Sequence, residues 1–148
     1  MRAEQLAVEF PIVGMDTNAL DAARLLAEQK LPGLIVADES GRPVSVLPGS
    51  QVLRFMVPRY VQEDYALARV LDEGTADKLC SRLGEVTVRQ VLPKTPAEVP
   101  VVAPDATAME VAAVMARMHS PVVAVVRDRT VIGAITTAHL LEQLLPSA

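Results

Sequence analysis

The sequence predicts an α/β chain of the α+β kind in which one strand-helix-strand-strand-helix unit is built twice around an inserted helical segment. Three observations carry this. Glu9 to Asp16 (EFPIVGMD) returns 89 residues later as Glu98 to Asp105 (EVPVVAPD), and nine of the 28 aligned positions from Glu9 to Val36 are identical, where chance gives about two for such a composition. Both copies continue into apolar residues at helical spacing. Both then show a short apolar run, a polar turn and a second short run, the pattern of a buried hairpin.

In the first copy, Asp16 or Thr17 is positioned to cap a helix whose apolar stripe is Leu20, Ala23, Leu25, Leu26 and Ala27, ending at Gln29-Lys30. Gly33 to Ala37 is a continuous apolar strand, Asp38 to Arg42 a turn by composition, and Val44 to Leu47 the hairpin partner. Pro48-Gly49-Ser50 punctuates, a helix follows over Gln51 to Met56, and Pro58 stops it. Tyr60 to Leu83 is helical in pattern through Leu67, Val70, Leu71, Leu79 and Leu83, about one and a half helices interrupted by Gly74. Val86 to Pro93 leads into the second copy as Arg2 to Leu6 leads into the first. There Asp105 or Thr107 caps a helix through Met109, Ala112, Ala113, Met115 and Ala116. Val122 to Val126 is the buried strand, Arg127 to Thr130 a tight turn, Val131 to Thr136 its partner, and Thr137 to Leu145 the closing helix.

At 148 residues one compact module is expected, its two copies sharing a core. Hydrophobic residues make up 51% and aromatics 3%, so the interior is Val, Leu, Ala and Met, and a base-stacking platform is excluded. The net charge of -4, without a basic run, removes the footprint of a nucleic-acid partner. No apolar run reaches membrane-spanning length, and Met1 to Gln5 runs into the first copy without the apolar core of a signal peptide. Cys80 stands alone, which suits a reducing cytoplasm and a small buried hydrophobe on a helix. His119, His139 and Cys80 have no metal-ligand spacing, all seven glycines are isolated, and carboxylates such as Asp21, Glu28, Glu63, Asp64, Asp72 and Glu73 lie on polar helix faces. A catalytic constellation is not visible, so a non-enzymatic role is expected.

The duplicated unit, its Pro-apolar-apolar-x-x-Asp opening and its Gly133-Ala134-Ile135-Thr136 closing strand resemble the CBS domain family, and the tandem resembles a Bateman module. Val46-Leu47-Pro48-Gly49-Ser50-Gln51-Val52-Leu53 is similar to a lineage of stand-alone bacterial CBS-pair proteins. The resemblance divides the chain into a first repeat at 2–57, a helical insertion at 58–85 and a second repeat at 86–146, together one module over 1–148. It implies two repeats packed about a pseudo-twofold axis, with clefts that take adenosine-containing ligands such as AMP, ADP, ATP or S-adenosylmethionine. The family's Gly-apolar-x-Thr/Ser-x-x-Asp pattern sets a hydroxyl near the phosphates and a carboxylate on the ribose diol. Here the second copy keeps Thr136 and Thr137 but has His139 at the carboxylate position. The first has Ser45 at the glycine, Pro48 at the threonine and Gln51 at the aspartate.

The ligand-contacting residues this implies are Thr136, Thr137 and His139 in the second copy, Pro100 and Val101 where it opens, and Ser45 and Gln51 in the first. No cofactor is required. The implied function is a regulatory, ligand-sensing module that signals to an unidentified partner, an enzyme or a transporter. The alternative is a ligand-independent dimerisation and docking scaffold. A homodimer is expected, because the helices from Leu20 to Ala27 and from Met109 to Met118 are more apolar than one sheet face requires. Met109, Met115 and Met118 are expected in core or dimer packing, and Tyr60 and Tyr65 at the edge of the core.

Overall fold

The computed structural model describes residues 1–147. Each half contains one three-stranded sheet. In the first, β1 (Ile12–Gly14) runs parallel to β2 (Gly33–Ala37), and β2 pairs antiparallel with β3 (Pro43–Pro48). In the second, β4 (Val101–Val102), β5 (Val122–Arg127) and β6 (Thr130–Thr136) repeat the order and the directions. The parallel pairs need crossovers. These are α2 (Ala19–Glu28) and α7 (Ala108–Met118), while α3 (Gly49–Met56) and α8 (Thr137–Leu144) follow the third strand of each sheet.

The central strands are buried on both faces, which is why they read as unbroken apolar runs. Leu34, Val36 and Leu47 point to their own helices, packing with Ala19, Ala22, Leu26 and Val52. Val123, Val125 and Ile135 do the same with Val111, Met115 and Leu140. The alternate residues, Ile35 and Val46 from one sheet and Val122, Ala124 and Ala134 from the other, meet between the sheets with Phe10 and Val99. Period-two alternation thus builds three cores from two sheets.

The leader segments cross over. Helix α1 (Ala3–Leu6) packs in the second core, with Ala3 and Leu6 beside Val111 and Val123. Helix α6 (Val88–Val91) puts Val88 and Val91 in the first core. The docking bonds repeat as well. Ala3 and Glu4 amides donate to the Ala106 and Pro104 carbonyls, as those of Val88 and Arg89 donate to Thr17 and Met15. Arg2 bridges Thr107, and Asn18 bridges Thr87.

Several local expectations change. Asn18, not Asp16 or Thr17, caps α2, its Oδ1 accepting from the Leu20 and Asp21 amides at 3.0 and 3.3 Å. Thr17 Oγ1 accepts from the Gly14 amide at 2.9 Å instead, closing the preceding turn. The second copy is capped by Thr107 as expected. Along α7 the buried residues are Val111 and Met115, whereas Met109, Ala113, Ala116 and Met118 are exposed. The insertion is four short pieces: α4 (Arg59–Glu63), a 3₁₀ turn at Tyr65–Val70, α5 (Glu73–Ser81) and a 3₁₀ turn at Arg82–Glu85. Asp64 and Asp72 punctuate it by capping new turns, and Gly74 sits inside the first turn of α5 without breaking it. Cys80 is exposed, contrary to the expected burial, because α5 buries no residue fully. Tyr60 and Tyr65 are also exposed, Tyr65 at 83%. Leu83 is what anchors the insertion, entering the first core, while the Arg82 guanidinium sits 5.7 Å from the Phe55 ring centre.

The hairpins differ at their tips. In the first, Gly41 takes the left-handed conformation (φ 85°) just before Arg42. In the second, Arg127 pairs with Thr130 around a two-residue turn in which Asp128 (φ 51°) and Arg129 (φ 69°) are both left-handed. For a residue with a Cβ that backbone costs about 1–2 kcal/mol.

Candidate functional site

The turns that begin α3 and α8 are related by the repeat yet carry different chemistry. At the second, Thr136 ends β6 and caps α8, its Oγ1 accepting from the His139 amide at 3.2 Å. This leaves the hydroxyl proton without an acceptor among the described residues. His139 follows one turn into the helix, its ring about 29% exposed and Nδ1 3.6 Å from Glu142 Oε2. Thr137 is tied to the strand start opposite, its amide and hydroxyl both donating to the Pro121 carbonyl at 3.1 and 3.4 Å. Gly133 is needed for a close approach of chain. A Cβ there would lie 3.0 Å from both Ala7 Cβ and the Val8 carbonyl oxygen, while Val8 and Ala134 exchange backbone hydrogen bonds at 3.0 and 3.1 Å.

The first turn is engaged by the protein itself. Ser45, at the position of Gly133, is 1% exposed and donates its hydroxyl to the Ala97 carbonyl at 2.8 Å. Gln51, at the position of His139, donates Nε2 to the Val91 carbonyl at 2.8 Å, satisfying the last turn of α6. Pro48 caps α3 with no side-chain hydrogen bond. Pro100 is buried, with its carbonyl accepting from the Ala124 amide at 2.9 Å. Val101 is 47% exposed and faces a cavity at the hairpin tips. The seven expected residues therefore do not form one pocket. Thr136, Thr137 and His139 share a turn, Ser45 joins the chain leading to Pro100 and Val101, and Gln51 joins α6.

Three cavities were not foreseen. The largest, about 790 Å³, opens at the carboxyl ends of the parallel strands β1 and β2, lined by Gly14, Asp16, Thr17, Asp38, Ser40 and Arg89. Arg89 and Asp16 pair across it at 3.4 Å. The Asp38 carboxyl is held below its ordinary range, first by the Ser40 hydroxyl and then by the Arg42 amide. A groove of about 510 Å³ lies between α7 and α8, where Ala112, Ala116, Leu141 and Leu144 meet His119, Ser120 and Thr137. A cleft of about 350 Å³ joins the hairpin tips of both repeats through Arg42, Val44, Glu98, Val101, Val126 and Arg129. Single-segment motifs could not reveal these, since the groove draws on two separated stretches and the other two cavities on three each.

The CBS domain family model matches residues 6–58 and 87–146. The chain belongs to the CBS domain family, as a tandem pair, and is thus a member of a family of regulatory modules. It is 56% identical to a CBS domain-containing protein of unknown function from Kribbella flavida, whose crystal structure superposes with a TM-score of 0.89 over 99% of each chain. Two more distant structures share the fold. The CBS domain of a CBS domain-containing membrane protein from Sphaerobacter thermophilus is 23% identical, with a TM-score of 0.74 over 99% of this chain and 90% of that one. CBSX2 in complex with AMP is 21% identical, with a TM-score of 0.66 over 96% and 94%. Among curated proteins, none matches the chain. No helix among the described residues is long and apolar enough to cross a membrane.

Proposed function

We propose that the protein is a non-enzymatic sensor that takes one adenosyl-type ligand, such as AMP, ADP, ATP or S-adenosylmethionine, at the turn holding Thr136, Thr137 and His139. The observation that carries this reading is the unequal engagement of the two turns. Ser45 and Gln51 are bonded to the protein's own carbonyls, whereas the Thr136 hydroxyl can still donate and His139 meets only Glu142. The α8 N-terminus and the Thr136 proton suit an anion, and the imidazole suits a ribose hydroxyl. The AMP complex of CBSX2 supports the ligand class. Binding shifts the relation of the two repeats by no more than its preference for one arrangement, and the output goes to a partner polypeptide.

Calorimetric titration of the native chain with AMP, ATP, S-adenosylmethionine and NADH tests this. The expected result is one ligand per chain, weakened at least about tenfold, or 1.4 kcal/mol, by Thr136→Ala or His139→Ala and unchanged by Gln51→Ala. Silence across the panel would instead support the docking-scaffold reading. That second reading draws on the apolar groove between α7 and α8, where Leu141 and Leu144 are exposed at 47 and 39%. The same groove supports homodimerisation under either reading.

A further inference from the structure

The cleft at the hairpin tips, at the opposite end of β6 from the Thr136 turn, combines features that a bare surface hollow lacks. It is assembled from both repeats: Arg42 comes from the tip of the first hairpin, Val126 and Arg129 from the second, and Glu98, Val99 and Val101 from the segment between. Its volume of about 350 Å³ lies within the range of small-molecule pockets. Neither guanidinium lies within 4.0 Å of a carboxylate oxygen among the described residues, although the Asp38 carboxylate accepts from the Arg42 amide at 3.0 Å and feels the Arg42 charge. Their guanidiniums are forked donors that match a carboxylate. Val44 and Val101, exposed at 39 and 47%, supply an apolar wall that is left wet in the free protein.

An independent observation concerns the backbone. Arg129 sits in the left-handed region at φ 69°, where the first hairpin uses Gly41 at φ 85°. A two-residue turn with both φ angles positive favours Asn-Gly, and this chain has Asp128-Arg129. Of the two left-handed residues of this turn, Arg129 holds the position that favours glycine, which points to a role for it, and Arg129 lines the cleft.

We propose that this cleft binds a small monocarboxylate with a branched aliphatic body, the carboxylate held by Arg42 and Arg129 and the body laid on the valines. Glu98 at the same cleft opposes a second negative charge and accepts from a hydroxyl or ammonium on the ligand. A ligand seated there touches both hairpins, so it ties the repeats together at the tips. The site goes beyond the adenosyl reading and does not depend on it, since the probes below carry no nucleoside.

The test is titration of the full chain, followed by amide chemical shifts, with 4-methyl-2-oxopentanoate and leucine as branched acids. Acetate supplies the charge without the body, and 3-methylbutan-1-ol the body without the charge. Saturable binding of a branched acid at about 1 mM or tighter is expected for a ligand of this size, with shifts at 42, 44 and 126–130. Acetate and the alcohol should bind at least about tenfold more weakly. Arg129→Gly restores the residue the turn prefers, so it should fold with an unchanged or higher Tm and lose at least about tenfold in affinity. The proposal is overturned if neither branched acid binds, if acetate binds as well as they do, or if Arg129→Gly binds like the native chain.

Discussion

Ser45 and Gly133 occupy the same place in the two repeats and solve one packing problem in opposite ways. Each faces a chain segment that arrives from the other half. Gly133 accepts it by having no side chain, with Ala7 and Val8 pressed against the space a Cβ would need. Ser45 accepts it by donating to Ala97. Gly133→Ala should therefore destabilise by about 1–3 kcal/mol through overpacking, and Ser45→Ala by about 1 kcal/mol through an unsatisfied carbonyl. Urea unfolding with an unchanged m-value measures both; a neutral Gly133→Ala would contradict the close approach. The equivalence of Ser45 and Gly133 is legible in the repeat, but its packing role is not. Which residue a backbone leans on is set by tertiary contact, and the same blindness moved the α2 cap from Asp16 or Thr17 to Asn18.

At the scale of elements, the strands and crossover helices were readable because burial on one or both faces writes a period into the sequence. The Gly33–Ala37 strand has the expected bounds. The insertion was not readable in the same detail, since it has no repeat partner to compare and its helices bury little. Its breaks follow capping aspartates, a weaker signal than a hydrophobic period. The crossing of α1 into the second core was also hidden, because a four-residue helix is too short to show which half it serves. Its consequence is measurable. Leu6 is fully buried in the second core, so Leu6→Ala should cost about 2–5 kcal/mol. Amide exchange should rise first in β5 and β6; a rise first in β2 and β3 would contradict the crossing.

On the scale of the whole molecule, duplication produced the fold and divergence of the copies produced its asymmetry. The first repeat is stapled by the inserted segment through Leu83 and by Gln51 onto α6. The second has an open groove between α7 and α8 in which Leu141 and Leu144 are uncovered. The proposed homodimer would bury that groove. Light scattering should then give twice the 15.8 kDa chain mass, and Leu141→Glu should yield a folded monomer. A native monomer at micromolar concentration would contradict the dimer.

On the proposed function, the ligand-reading turn survives in the second repeat alone. A crystal structure of the chain grown with millimolar AMP tests it most directly. One nucleotide per chain is expected, its ribose or phosphate within hydrogen-bond distance of Thr136 and His139, with Gln51 still bonded to Val91. Nucleotide seated at Pro48 and Gln51, or clefts empty at saturating AMP, ATP and S-adenosylmethionine alike, would contradict it.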